Sequence, residues 1–349
     1  MRDLQKHRLV VLVSTTLLVG APVAADAHST PRPVSPAVVP VTIQGGQGTT
    51  TGARPMVEVR VGNSKPVPVL LDTGSTGLQI YAPKVNTAPG GGVTETAQRD
   101  SITYAGGHRF VGVVARAVVR IGGQATAAKV PFGLVEQASC IPSKPACDAA
   151  GGVSRPMPDG AYGILGIGMS KNRQGLFNPI LGLAGARART WSLHLKARSG
   201  ALVLGARIPS ASRTSSTVPL RSQGTSGGHP AWADAQARLC DSVGNIRACV
   251  PGLFDSGTFT MQLWGSPLNT AATQTGTTRV RAGTPVAVSL PGAKKPFWSY
   301  LAGVTKSRNT LTVERGRRTP FVNYGVQAFY AFTITYDETR GRIILAPTS

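Results

Sequence analysis

Apolar positions recur along the chain in short runs, and few of the runs carry a helical period. Residues 56–61 (MVEVRV) alternate apolar and polar, the pattern of a strand with one buried face. Residues 67–71 (VPVLL) are almost continuously apolar, which predicts a strand covered on both faces. Residues 39–43, 117–121 and 129–135 read as further strands. Residues 101–104 and 110–114, joined across Ala105-Gly106-Gly107, read as a hairpin about a glycine turn, and residues 191–195 and 201–205 as another. Beyond a Ser- and Arg-rich stretch at 210–217 come strand-like runs at 232–239, 253–254, 286–290 and 297–300, and the chain closes on 330–336 and 342–345. Residues 86–100 and 140–158 are rich in Gly, Thr or Pro and predict surface loops, while 176–185 is one of few plausible helices. The class expected is all-β.

Two of the apolar runs stop in the same way. Residues 67–75 read VPVLLDTGS and residues 250–258 read VPGLFDSGT. Aligned, they share Val, Pro, one Leu, Asp and Gly, and exchange Ser with Thr, so the chain carries an internal repeat of two halves. In each, a buried strand delivers an aspartate to a turn whose glycine admits another backbone close by. Thr73 and Ser256 can then hydrogen-bond the opposite loop, and Ser75 and Thr258 the carboxylates themselves. Packed about a pseudo-two-fold axis, Asp72 and Asp255 would face each other. Two like charges at that range cannot both ionise, and the pair titrates as a unit. One member can take a proton from a trapped water while the other donates to a carbonyl, which is general acid–base hydrolysis of an amide. A single Asp-x-Gly is more often an ordinary turn; the paired motif, each copy behind Val-Pro, favours the catalytic reading.

Composition supports strands and turns: of 349 residues 42 are Gly and 26 Pro, and only 15% are charged. Residues 1–27 read as an export signal, with Arg2, Lys6 and Arg8 before an apolar run at 9–20 and a small-x-small site at Ala25-Asp26-Ala27. The alternative is an uncleaved anchor helix, for which the run is short. Residues 28–38 form a Pro-rich linker, 39–214 a first β lobe and 215–349 a second. The expected location is extracellular or periplasmic, without a stable membrane span after cleavage. The four cysteines Cys140, Cys147, Cys240 and Cys249 allow three pairings in an oxidising compartment, of which the two local ones are favoured. Their spacing does not suit zinc. The net charge of +22 would suit nucleic acid, which export argues against; anionic envelope polymers or acidic substrates suit it better, and a generally cationic surface is the plainest reading.

With these motifs the chain resembles the pepsin-like aspartic proteases, the two-lobed single-chain family, over nearly the whole of its length after the export signal at 1–27. Residues 101–107 resemble the family's flap, with Tyr104 on the flap tyrosine and Ala105 and Gly106 beside it. Residues 160–166 resemble the element that threads beside the first aspartate, residues 191–205 the hairpin ending the first lobe, Cys240–Cys249 a family disulfide, and residues 336–347 the closing strands. The resemblance implies a bilobal fold with a cleft between the lobes and a secreted aspartic endopeptidase with Asp72 and Asp255 as catalytic pair. Thr73, Gly74, Ser75, Ser256, Gly257 and Thr258 would support the pair. The substrate would be an extended polypeptide laid in as an added strand and covered by the flap. No metal or organic cofactor is implied, and both aspartates in one chain imply a monomer.

Three departures point to a divergent, bacterial branch. Gly77-Leu78-Gln79 replaces the family's Asn-Leu-Trp, removing the tryptophan that supports the flap tyrosine. The second threading element, Val322-Asn323-Tyr324-Gly325, has a polar residue where an aliphatic is expected. Phe259 follows Thr258 where a small hydroxyl residue is common. Little chain lies between residue 27 and Asp72 once the first strands are counted, so export without an inhibitory pro-segment is expected. The rival reading is a catalytically weak or inactive protein of this fold that binds anionic cell-envelope polymers or a protein partner. Residues 224–228 match G-x-S-x-G by letter only and read as a loop. His108 and His194 have no evident partner, the glycines at 166 and 168 lack the third of a dinucleotide site, and the basic run at 315–318 reads as a solvated loop.

Overall fold

In the second half of the chain, one strand triplet repeats what the first half has already built. In the first half, Val67–Asp72 pairs in parallel with Gly163–Ile167, with Gly166 opposite Asp72, and Gly163–Ile167 pairs antiparallel with Thr76–Tyr81. In the second, Ile246–Leu253 pairs in parallel with Phe321–Asn323, with Leu253 opposite Asn323, and Phe321–Asn323 pairs antiparallel with Met261–Trp264. A parallel neighbour needs a long crossover, so each threading strand arrives from far along the sequence. Both aspartates thereby stand at strand ends with a backbone on either side.

The computed structural model describes residues 35–45, 52–172, 174–209, 215–303, 309–314, 316 and 319–348. The export signal at 1–27 lies outside the described residues, as do most of the linker, the expected lobe junction at 210–214 and most of the basic run at 315–318. No described helix is long and apolar enough to cross a membrane.

A 15-stranded sheet carries the first half. Its centre is the first-half triplet. On one side Ala53–Val61, Ala37–Gly45, Ser199–Leu204 and Thr190–Leu195 follow, and on the other Val130–Cys140, His108–Ala117 and Thr94–Thr103. A seven-stranded sheet carries the second half, with Ala237–Val243, Pro285–Ser289 and Trp298–Leu301 beyond the second triplet and Leu311–Glu314 at its other edge. The closing strands Phe332–Asp337 and Arg342–Pro347 return to the first sheet, where Trp191 pairs with Tyr336 and the two rings stack at 5.6 Å. The ends of the chain thus tie the halves together. The core is mostly Val, Leu and Ile, with Trp191, Phe254, Phe329, Tyr324 and Tyr336 fully buried; strands covered on both faces need such continuous apolar runs.

Several elements differ from the expectation. The flap strand begins at Thr94, inside the expected 86–100 loop; its side chains are largely exposed, so no alternation marks it, and backbone pairing with His108–Ala117 makes it a strand. Residues 176–185 are not an α-helix. Pro179 opens a 3-10 turn at Pro179–Gly182 whose first free amide, that of Ile180, is capped by Asn178, and a second turn follows at Gly185–Ala188. The run at 232–239 is broken by a turn at Asp234–Gln236, and Gln327–Ala331 is a short helix before the closing strand. Residues 224–228, read as a loop, lie within a hairpin of Ser222–Ser226 and His229–Trp232; no helix follows Ser226, and its hydroxyl donates to the Leu176 carbonyl. Cys140–Cys147 and Cys240–Cys249 are both closed.

Candidate active site

Asp72 and Asp255 meet at the floor of a cleft of about 790 Å³ lined by both halves. Their loops are joined by a reciprocal set of bonds. Thr73 N–H donates to Ser256 Oγ at 3.0 Å and Ser256 N–H to Thr73 Oγ1 at 2.9 Å. The same hydroxyls donate onward, Thr73 to the Phe254 carbonyl at 2.8 Å and Ser256 to the Leu71 carbonyl at 2.7 Å. All four groups are buried, so every donor and acceptor finds its partner in the opposite half.

The carboxylates are held alike. Gly74 N–H donates to Asp72 Oδ1 and Gly257 N–H to Asp255 Oδ1, each at 2.8 Å. Ser75 donates to Asp72 Oδ2 at 2.5 Å and Thr258 to Asp255 Oδ2 at 2.7 Å. Glycine is required here for approach: a Cβ on Gly74 would sit 2.4 Å from Asp255 Cγ, and one on Gly257 2.7 Å from Asp72 Oδ1. Burial, then the charge of Asp255, pushes the Asp72 carboxyl well above the usual carboxylate range, against the lowering bond from Ser75.

The flap turn at 104–107 closes by Tyr104 N–H to the His108 carbonyl and Gly107 N–H to the Tyr104 carbonyl. The Tyr104 hydroxyl reaches back to Ser75; burial, then the Asp72 charge, pushes its pKa well up. Ala105 and Gly106 line the cleft beside it. Where the family has tryptophan, Gln79 donates to Asp100 Oδ2 at 2.7 Å, and Asp100 stands on the flap strand. A buried amide–carboxylate bond thus links the flap to the strand after the first aspartate.

Sequence reading missed a charged cluster in the cleft wall. Arg54 bonds Asp148 at 2.5 Å and lies 3.5 Å from Asp159, and His108 Nε2 lies 3.4 Å from Asp148. His108 therefore has a partner after all; Asp148 sits in the 140–158 loop, and sequence spacing gives no sign of the pairing. The bond from His108, then Arg54, holds the Asp148 carboxyl below its usual range despite burial. Across the cleft the Arg54 guanidinium lies 5.6 Å from the Phe259 ring centroid, so the departure at Phe259 supplies a stacking face to the first half. His194 stands in Thr190–Leu195 and is not among the residues that line the cleft. Among the described residues no three His, Cys, Asp or Glu side chains cluster as a metal site would need.

The departure at Asn323 lies at the aspartates. Its Nδ2 donates to Asp255 Oδ2 at 2.7 Å and lies 3.3 Å from Thr258 Oγ1, and its Oδ1 accepts from Gly325 N–H at 2.9 Å. Behind it the Tyr324 hydroxyl donates to both oxygens of Asp241, a buried carboxyl pushed up to about 7 by burial.

A family model described as the PE-PGRS C-terminal aspartyl peptidase-like domain matches residues 37–339. No curated protein sequence matches the chain. Among solved structures, the crystal structure of aspartic proteinase from Irpex lacteus is similar with a TM-score of 0.57 and 17% identity, over 90% of this chain and 98% of that one. The fold is thus the pepsin-like, mainly-β one, with two halves about a pseudo-two-fold axis and the cleft between them.

Proposed function

From a chain that belongs to the PE-PGRS C-terminal aspartyl peptidase-like domain family, and from the two carboxylates that face each other in its cleft, we propose an aspartic endopeptidase that hydrolyses peptide bonds with a dyad-activated water. The observation that carries the reading is the complete set of supports around Asp72 and Asp255: two glycine amides, two hydroxyls and the reciprocal Thr73–Ser256 bonds, matched half for half.

In this reading one carboxyl is protonated and the other ionised. The ionised one takes a proton from a water held between them as its oxygen bonds to the substrate carbonyl carbon. The protonated one gives its proton to the carbonyl oxygen. The tetrahedral intermediate collapses with breakage of the C–N bond: the amine leaves with the proton that came from water, and a hydroxyl of the intermediate returns its proton to the carboxylate that had donated one, which restores the pair. General acid–base steps of this kind contribute on the order of 10²–10⁴-fold each. An extended peptide would lie along the cleft beneath the flap, with Tyr104 closing over it. The supports for an exported monomer are residues 1–27 and the presence of both aspartates in one chain.

The test is cleavage of an unfolded protein by the purified protein across mildly acidic to neutral pH, beside Asp72→Asn and Asp255→Asn. Both substitutions should remove cleavage by at least about a hundredfold while circular dichroism stays native. A folded wild type as silent as its variants would instead favour a binding protein of this fold, for anionic envelope polymers or a protein partner. Tyr104, which lines the cleft together with both aspartates, would then be the group to examine for occlusion of the cleft.

A further inference from the structure

The two halves supply matched donors to their aspartates at every position except one. Asp72 accepts from Gly74 and Ser75; Asp255 accepts from Gly257, Thr258 and Asn323. Sheet register identifies the unmatched position. Leu70, two residues before Asp72, pairs with Ile164, and Leu253, two residues before Asp255, pairs with Asn323. Asn323 is therefore the counterpart of Ile164, a buried aliphatic that can donate nothing.

The direction of the Asn323 amide is settled by its partners. Oδ1 faces the Gly325 N–H, and only an acceptor suits that donor, so Nδ2 is turned to the Asp255 carboxylate. Tyr324, the next residue, is anchored on Asp241 and stacks on Phe254 at 4.9 Å, which fixes the backbone from which Asn323 projects. A neutral amide N–H aimed at a carboxylate favours the charged form of that carboxylate and gives nothing to the protonated oxygen it would face.

We propose that Asn323 is a positioning residue that holds Asp255 as the ionised member of the pair and leaves the shared proton on Asp72. The proposal rests on the endopeptidase reading for its catalytic consequence: Asp255 is then the group that takes the proton from water, and Asp72 the group that donates to the carbonyl. Burial, which pushes the Asp72 carboxyl up, runs in the same direction. The other titratable groups facing the pair are Tyr104 from the flap and Tyr336 from beneath. Arg54, His108, Lys144, Asp148 and Glu314 also line the cleft. Among the described residues neither aspartate has an ion-pair partner, so no cation competes with the amide in choosing which carboxyl ionises.

The test reads the carboxyls directly, without substrate. Carbon-13 NMR of aspartate-labelled protein, with Asp72→Asn and Asp255→Asn to assign the two signals, follows each carboxyl through pH. Asn323→Leu keeps the branched shape and removes the donor; Asn323→Ser, smaller and still able to donate, carries the test if the leucine variant does not fold. In the wild type Asp255 should ionise first. In Asn323→Leu that first ionisation should move up by about one pH unit, a tenfold change in proton affinity, with the acid limb of kcat/KM moving by the same amount. Asn323→Ser should fall between. A first ionisation that stays in place in a folded Asn323→Leu, or a wild type in which Asp72 ionises first, overturns the proposal. A wild type that cleaves nothing but titrates as expected overturns the endopeptidase reading and leaves the assignment of the proton standing.

Discussion

Asp241 shows how a single buried carboxyl can govern the response to pH. It is fully buried, its ligand is a neutral phenol, and burial raises it to about 7. Below about pH 4 the folded and unfolded chains both hold its proton. From there to about pH 7 only the folded chain does, so stability falls as pH rises, by at most about 1.4 kcal/mol per pH unit, and levels off above. Asp241→Asn keeps an acceptor for Tyr324 and has no proton to lose. Its melting temperature should match the wild type near pH 4 and exceed it at pH 8, by an amount corresponding to about 2–4 kcal/mol. A constant difference between the two proteins across that range would show that Asp241 ionises freely in the fold. The paired aspartates Asp72 and Asp255 were legible in the sequence because each sits behind the same Val-Pro strand. Asp241 was not, since nothing local distinguishes it from a solvated aspartate on a strand; only the sheet that brings Tyr324 and Tyr300 against it makes it unusual.

Among the elements, the two aspartate loops act as one unit because their hydroxyls cross over. Thr73→Val keeps the volume but strands the Ser256 N–H and weakens the hold on the Phe254 carbonyl, both buried. Leaving such groups unpaired costs about 1–3 kcal/mol each. The variant should lose about 2–4 kcal/mol in urea unfolding, and its cleavage rate should fall as the carboxylates lose their alignment. Unchanged stability would mean the crossed bonds contribute only geometry. The flap hairpin was visible as a glycine turn between apolar runs, yet its first strand extends back to Thr94 through residues with no alternation. Exposed strands with polar faces carry their signal in backbone pairing, and pairing partners are not adjacent in sequence. The 176–185 stretch misled for a related reason: its apolar residues do pack inward, but Pro179 and Gly182 permit only a tight turn there.

At the scale of the molecule, net charge bears on the pH range in which the fold can persist. The sequence has 37 Lys and Arg against 15 Asp and Glu, with five His. Near pH 3 the chain would carry roughly +40, and self-repulsion would oppose the compact state. Peak activity should therefore fall in mildly acidic solution, and raising salt should move acid unfolding to lower pH by screening. Circular dichroism and cleavage followed together at low and high salt would check both; a peak below pH 3 with the fold intact would show that repulsion does not limit this protein.

The sequence alone determined the class of fold, the two halves, the aspartate pair and its hydroxyl partners, because each is written in a short contiguous pattern that a strand and a turn express locally. Tertiary structure alone decided what surrounds that pair. Asn323 on Asp255, Gln79 on Asp100, and Arg54 and His108 on Asp148 join residues between 21 and 94 positions apart. Each of these contacts exists because two strands or loops happen to be neighbours in the folded sheets. Local chemistry can be read from neighbours in sequence; the environment that tunes it is built from neighbours in space.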